Sequence, residues 1–338
     1  MEKNEIILSL CVPTCNRGRM LDYVLHYYLS CTEFDNQVEL VISDNASIDN
    51  TQQIVADFIE KHPNKNIKYY RNERNIGTLN FFEVISHARG KYAKLCNDYL
   101  YIDNIGLKYM KDMIKNTNAE IALFFYDSLR DISLDYISVN NVDAFIKLVN
   151  NKMTWVSNFG CWRKDIPLLA EYTNDEPKVN GYIIQTAFWA LYLVDYYKES
   201  HIVNFRNNHC LPVPNSKRAL KYNFFTPHVV YYYDMIHDYA IEGKVSQATI
   251  LFDKKRLLSD FVGYKIVEYL ILHKDCPFDL KGSWKLILKY FGGIPYFYYI
   301  IPKLTFIRGV CYPMKENAKK VLRILGLFEQ CKKMWNKR

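Results

Sequence analysis

No glycine-rich G-x-G-x-x-G turn follows the first strand-like run of this 338-residue chain, and no Walker P-loop occurs in it. The turn after the run Ile6 to Val12 reads Pro13-Thr14-Cys15-Asn16-Arg17-Gly18, which removes the dinucleotide-binding and P-loop ATPase readings. No uninterrupted apolar run reaches the roughly 18 residues of a spanning helix. The N-terminus, Met-Glu-Lys-Asn-Glu, has neither a basic n-region nor a long apolar h-region, so no signal peptide is expected. The nine cysteines form no C-x-x-C pair, their number is odd, and several sit in apolar runs such as Leu10-Cys11-Val12. They read as buried thiols in a reducing compartment rather than as disulfides or metal ligands. Internal repeats and low-complexity linkers are missing too. So are helix-turn-helix, RRM and KH signatures, and no nucleic-acid partner is expected.

What the chain does have is enough apolar residue, 49%, for a sizeable core in one large or two modest domains. Its 28 tyrosines are an excess that compositional bias alone could explain, since Asn, Lys and Ile are plentiful as well. The formal charge of +8 is unevenly spread: from Pro277 to Arg338 there are 13 Lys/Arg against 3 Asp/Glu. Acid is scarce there, which points to an anionic surface as partner.

The first part of the chain alternates strand-like and helix-like runs. Strands are expected at 6–12, 38–43, 67–71, 91–96 and 120–126, with helices at 18–31, 49–61, 78–88 and 105–116 between them. Repeated units of this spacing predict an α/β fold, a mostly parallel sheet with helices on both faces. Beyond residue 140 the pattern loosens. Thr154–Trp162 and 201–207 read as strands, Val179–Tyr197 as a helix, and Asn223–His273 as helical with a break at Glu242-Gly243-Lys244. A basic helix is expected from Lys315 to Trp335. This gives a catalytic domain over 1–210 and a helical, basic region over 211–338.

In an open α/β sheet, ligands bind outside the carboxyl ends of the strands. Two such ends carry polar side chains: Val12 runs into Pro13-Thr14-Cys15-Asn16-Arg17, and Ile42 into Ser43-Asp44-Asn45-Ala46-Ser47. The Asp44 carboxylate can accept the N–H of a pyrimidine imide. The planar fork of Arg17 suits a phosphate. Asn75-Ile76-Gly77 can bring backbone N–H groups close to a ligand, because glycine permits tight approach.

These motifs, with Arg71-Asn72-Glu73-Arg74-Asn75-Ile76-Gly77 and Gly90-Lys91-Tyr92 in matching order, resemble the family 2 glycosyltransferases of GT-A fold. The clear resemblance covers about residues 6–115. Weaker likeness to the bacterial surface-polysaccharide branch that includes abequosyltransferase-like enzymes continues through Gln185 and Lys221-Tyr222-Asn223-Phe224-Phe225. The resemblance implies an inverting transfer of a sugar from a UDP- or dTDP-sugar to a hydroxyl of a bacterial surface glycan (capsule or lipopolysaccharide) or lipid-linked oligosaccharide. It places Pro13, Thr14, Asn16 and Arg17 along the nucleotide, Asp44 at the base with Asn45 beside it, and Asn75, Gly77 and Asn80 around base and ribose. Gln185 falls on the acceptor side.

The family's metal-binding acidic cluster falls at Leu95-Cys96-Asn97-Asp98-Tyr99-Leu100, where only Asp98 is acidic, and the resemblance implies that Asn97 and Asp98 border the donor. A Mg²⁺ or Mn²⁺ ion on Asp98 is expected, since Mg²⁺ commonly keeps several waters and few protein ligands. The alternative is metal-free neutralisation by Arg17 or Lys94. The general base expected for an inverting reaction is Asp175 or Glu176, with Asp127 as a second candidate. Solvated loop charge is the plain reading of Asp175 and Glu176. Asp49 reads as a helix-start residue, His209 as a packing residue, and Trp155, Phe159 and Trp162 as core. The thinned acidic cluster keeps a second function open: a nucleotide-sugar or glycan-binding protein of the same fold without transfer activity.

The aromatic stretch Phe291 to Pro302 lies between basic segments, a composition suited to a membrane interface. The expectation is a cytoplasmic protein, peripheral on the inner face of a bacterial cytoplasmic membrane through residues 277–338. An ordinary helical subdomain whose basic face is solvated or mediates homo-oligomerisation is the alternative.

Overall fold

The computed structural model describes residues 5–127, 129, 136–175, 184–205, 209–214 and 222–324. The chain divides into two compact units, Met1–Arg218 with Tyr231–Thr249, and Ala219–Val230 with Ile250–Arg338. The chain thus crosses back to the first unit after residue 230, and a cut at residue 210 does not separate the units.

The first unit is built on the expected alternation. Its strands are β1 (Leu8–Thr14), β2 (Val38–Asp44), β3 (Ile67–Arg71), β4 (Tyr92–Leu95) and β8 (Gly160–Trp162), in the order β3-β2-β1-β4-β8. The first four are parallel and β8 is antiparallel to β4. Alternation along the strands decides the faces. Leu8, Leu10 and Val12 of β1 share a core with Val38, Leu40 and Ile42 of β2. Helix α1 (Gly18–Ser30) completes that core with Leu21, Val24, Leu25 and Tyr28, the i, i+3, i+4, i+7 stripe. Helix α4 (Asn104–Asn116) adds Leu107, Met110 and Ile114, and starts where Asp103 accepts a hydrogen bond from the Gly106 N–H at 2.7 Å. Helices α2 (Thr51–Lys61) and α3 (Asn80–Ser86) close the remaining crossovers.

Two smaller sheets follow. Strands β6 (Ala122–Asp127) and β7 (Tyr136–Val139) flank β9 (Ser200–Phe205), while β10 (Cys210–Pro212) pairs antiparallel with β5 (Leu100–Ile102). Helices α5 (Val142–Val149), α6 (Ile166–Asp175), α7 (Gln185–Tyr197) and α8 (Tyr232–Ile241) belong to this unit. The strand expected over Thr154–Trp162 forms only over Gly160–Trp162; short 3-10 turns occupy the rest. Phe159 and Trp162 are core residues and Trp155 is partly exposed. The eight described cysteines are all free thiols.

The second unit is helical. It contains most of Gln247–Asp260, then Val262–Lys265, Ser283–Phe291, Pro295–Phe306 and Tyr312–Ile324. The basic helix therefore begins at Tyr312, and its expected continuation beyond Ile324 lies outside the described residues. Among the described residues no helix is long and apolar enough to cross a membrane.

Candidate functional site

Strand order reverses at β1, whose neighbours are β2 on one side and β4 on the other. At such a switch point the loops after the strands part, leaving a crevice at the carboxyl ends. Register puts Thr14 opposite Asp44, and Cys11 opposite Leu95, so Thr14 and Asp98 emerge side by side.

The loops after β1 and β2 are stitched together. Asn16 adopts φ 55°, and its N–H donates to Ser47 Oγ at 2.7 Å while its own Oδ1 accepts from the Ile48 N–H at 2.8 Å. The Gly18 N–H at the start of α1 donates to Asp49 Oδ2. Burial pushes the Asp49 carboxyl up, but hydrogen bonds from the Thr51 hydroxyl and the Gly18 and Thr51 N–H groups outweigh it and hold the group below its ordinary range. Asp49 is thus a helix-start residue.

Above these loops lies a cavity of about 170 Å³ lined by Pro13, Thr14, Cys15, Arg17, Asn45, Gly77, Asn80, Phe81 and Asp98. On its floor Thr14 Oγ1 donates to Asp98 Oδ2 at 2.9 Å, and Arg17 Nη1 stands 3.9 Å from Asp98 Oδ1. The Arg17 guanidinium carbon lies 5.4 Å from the Tyr99 ring centroid. Arg17 Nε is buried with no hydrogen-bond partner among the described residues. A buried donor of this kind calls for an anionic acceptor. Burial raises the Tyr99 phenol, with Asp98 adding to the effect.

Seven of the residues expected from the sequence thus line one cavity, and four do not. Asp44 is fully buried behind the wall. Its Oδ1 accepts from the Ser47 N–H at 2.9 Å, its Oδ2 from the Tyr69 hydroxyl at 2.6 Å, and Arg71 Nε lies 3.8 Å away. Burial and the hydrogen bond to Asp44 raise the Tyr69 phenol strongly. Asn16 is turned toward the loop after β2. Asn75 Oδ1 accepts from Asn45 Nδ2 and from the Gly77 N–H. Asn97 is half-buried in the turn before β5, its carbonyl accepting from the Leu100 N–H.

The backbone N–H groups of Ile76 and Gly77, read as ligand contacts, are occupied by Asn45 Oδ1 and Asn75 Oδ1. Gly77 itself has φ 63°, which explains a glycine at that turn. Asn80 is knotted to β2: its Nδ2 donates to the Ser43 carbonyl and its Oδ1 accepts from Ser43 Oγ at 2.6 Å. Lys94 is buried and donates to the carbonyls of Ser157 and Phe159, so it is not a cavity cation. His209 packs against Asp103, with Nδ1 3.0 Å from Oδ1.

Cys15 and Phe81 are cavity residues that the motif reading missed. Both stand directly beside matched motif positions, and that adjacency was the available signal. Gln185, expected on the acceptor side, is fully buried in α7, and neither end of its carboxamide has a partner among the described residues. Asp175 is the last residue of α6, its side chain outside the described set, and Glu176 lies outside the described residues. Asp127 ends β6, its side chain likewise undescribed. Among the described residues no three His, Cys, Asp or Glu side chains cluster as a metal site.

Residues 9–181 match the profile of the family described as glycosyl transferase family 2. The abequosyltransferase RfbV of Salmonella typhimurium is 36% identical over 89 residues, which is 26% of each chain. The dolichyl N-acetyl-alpha-D-glucosaminyl phosphate 3-beta-D-2,3-diacetamido-2,3-dideoxy-beta-D-glucuronosyltransferase of Methanococcus voltae is 27% identical over 101 residues, 30% of this chain and 32% of that one. The chain therefore spans between about a quarter and a third of the length of these curated relatives. S. aureus TarS 1-349, solved in complex with UDP-GlcNAc, shares the fold with a TM-score of 0.53 at 15% identity, over 90% of this chain and 88% of that one. A parallel sheet with its crevice at the β1/β4 switch, and a family match across more than half the sequence, make this chain a member of glycosyl transferase family 2 with the GT-A fold.

Proposed function

We propose that the chain is an inverting glycosyltransferase that moves a sugar from a UDP- or dTDP-sugar to a hydroxyl of a bacterial surface glycan or lipid-linked oligosaccharide. The observation that carries this reading is the Arg17–Asp98 pair on the floor of the cavity at the strand switch. A partial match to an abequosyltransferase supports it.

In this reading Pro13, Thr14, Arg17, Asn45, Gly77 and Asn80 bind the nucleotide, and Arg17 meets the diphosphate. Asp44 is a positioning residue. It holds Ser47, Tyr69 and Arg71 rather than touching the base, and Asn16, Asn75 and Asn97 likewise shape the loops around the donor. Asp98 is a carboxylate on the cavity floor, and a hard cation that keeps waters and takes phosphate oxygens needs no larger protein donor set. Mg²⁺ or Mn²⁺ held there would supply charge neutralisation of the departing diphosphate. Asp175 or Glu176 accepts the proton of the attacking hydroxyl. Gln185, fully buried in α7, does not reach the acceptor directly. The site of action is the inner face of a bacterial cytoplasmic membrane.

One observation favours a second reading, donor binding without turnover: Asp98 is flanked in sequence by Asn97 and Tyr99 rather than by further acids, and its carboxylate is engaged by Thr14 and Arg17. Incubating the chain with a panel of nucleotide sugars, with and without glycan acceptors, and quantifying free UDP or dTDP separates the two. Release of nucleotide above the protein-free rate supports the transferase. Saturable binding with no release across the panel overturns it.

A further inference from the structure

Nineteen large apolar side chains are exposed among the described residues, and nine of them fall between Trp284 and Met314. The segment Leu280 to Lys315 carries six Lys/Arg and no Asp or Glu. Both features sit on the same helices.

Helix Pro295–Phe306 shows the arrangement best. Phe297, Ile300, Ile301 and Leu304 form its buried stripe. An ordinary surface helix is polar on the other side. Here the other side carries Tyr298 (61% exposed), Tyr299 and Phe306 (60% exposed). The row continues through Val310, Tyr312 and Met314, the last 66% exposed. Helix Ser283–Phe291 adds Trp284 and Leu288, spaced i, i+4 and both exposed. Cations are interleaved with the rings: Lys289 lies 5.0 Å from the Tyr290 centroid, Lys303 5.5 Å from Tyr299, and Arg308 5.6 Å from Tyr312.

We infer that this face docks on an anionic phospholipid bilayer, with Tyr298, Tyr299, Phe306, Val310 and Met314 inserted at headgroup depth and the lysines on the lipid phosphates. Charge decides between occupants. A second copy laid on the same face would set one cationic surface against another, whereas lipid phosphates neutralise it. A nucleic-acid backbone would satisfy the lysines and leave Leu288, Val310 and Met314 in water. A lipid interface satisfies both sets, with aromatic rings at the headgroups and aliphatic groups just below. This deepens the membrane placement proposed above and is independent of the transfer chemistry.

The test uses the full chain and two sets of vesicles, phosphatidylcholine alone and phosphatidylcholine with phosphatidylglycerol, with no nucleotide sugar present. Co-sedimentation with the anionic vesicles only is expected. The variant Tyr299→Ser/Phe306→Ser/Met314→Ser should lose at least tenfold in partitioning, as should Lys285→Glu/Lys289→Glu, with UDP affinity and thermal midpoint unchanged. Three results overturn the inference: no vesicle binding by the parent chain, parent-like binding by the apolar triple variant, or a concentration-dependent dimer that the triple variant abolishes while vesicles capture neither. Vesicle binding without UDP affinity would instead sink the transferase reading and leave this one standing.

Discussion

Arg17 and Asp98, carried to one cavity by the ends of β1 and β4, stand 3.9 Å apart between Nη1 and Oδ1, and both side chains are largely enclosed. A guanidinium so placed gains little by leaving its carboxylate for water, but a diphosphate offers two anionic groups for its fork. On the proposed reading, Arg17 is a pre-positioned cation that Asp98 holds for the donor's diphosphate.

Arg17→Met should therefore weaken donor binding while keeping the fold. Loss of a charge-assisted hydrogen bond is worth about 1.5–3 kcal/mol, or roughly 10- to 100-fold in Kd. Calorimetric titration with UDP and with uridine checks it: the loss should appear with UDP and not with uridine. Equal loss for both would place Arg17 at the nucleoside instead.

Asp98→Asn retains a carbonyl oxygen for the Thr14 hydroxyl, so the cavity should persist. If Asp98 holds a divalent cation, UDP affinity of the parent should rise on adding Mn²⁺ and that increment should vanish in the variant. Affinity measured with and without chelator gives the answer before any acceptor is known. A parent chain indifferent to Mn²⁺ and chelator would remove the metal from the reading.

If Asp44 acts through the loop it holds, as proposed, removing one of its supports should reach the donor. Tyr69→Phe deletes the hydroxyl that donates to Asp44 Oδ2 and leaves the cavity wall otherwise intact. A several-fold weaker UDP affinity is expected, from loosening of the 44–47 turn. Unchanged affinity would mean that the turn is set without Tyr69.

Asp44 also shows how far sequence reasoning reaches. The β/α alternation, the carboxyl-end crevice and the Pro13–Gly77 residues are legible because strand period and loop chemistry are local properties. Which side chain of a polar pair faces the ligand is not local. Asp44 and Asn45 are adjacent in sequence, yet Asp44 turns inward to Tyr69 and Arg71 while Asn45 lines the cavity. The partners that decide this arrive from β3, 25 and 27 residues further on. The same limit hides Glu39, a carboxylate in the middle of an apolar strand, whose partner Arg89 comes from the turn before β4. Conversely, the apolar runs to Val12 and Ile42 placed the ends of β1 and β2, at Thr14 and Asp44, to within two residues without any tertiary information.

Glu39 yields a stability prediction. It is fully buried, accepts from Ser9 Oγ at 2.6 Å, and takes both the backbone N–H and the guanidinium of Arg89. Glu39→Ala removes the acceptor of the Ser9 hydroxyl and of the Arg89 backbone N–H and Nε, while Arg89 Nη2 keeps Asn66 Oδ1. Removing one partner of a buried pair costs about 3–5 kcal/mol, and the half-exposed Arg89 puts the expected loss near ~3 kcal/mol. Urea unfolding of the two proteins measures it; a loss below about 1 kcal/mol would make the network a surface ion pair in energetic terms.

His228 makes the stability of the helical unit depend on pH. Its ring packs against Phe224 at 4.8 Å and Phe261 at 5.4 Å, and burial pushes its pKa down to about 4 from 6.5. The unfolded chain then binds the proton more readily than the folded one between those values. Stability is complete above about pH 6.5 and falls as pH drops toward 4. Between pH 7 and pH 5 the loss should be about 1–2 kcal/mol. His228→Phe keeps an aromatic ring in the cluster and cannot take the proton, so its urea midpoint should change less over that interval than the parent's. Identical slopes for parent and variant would assign the acid sensitivity to other groups.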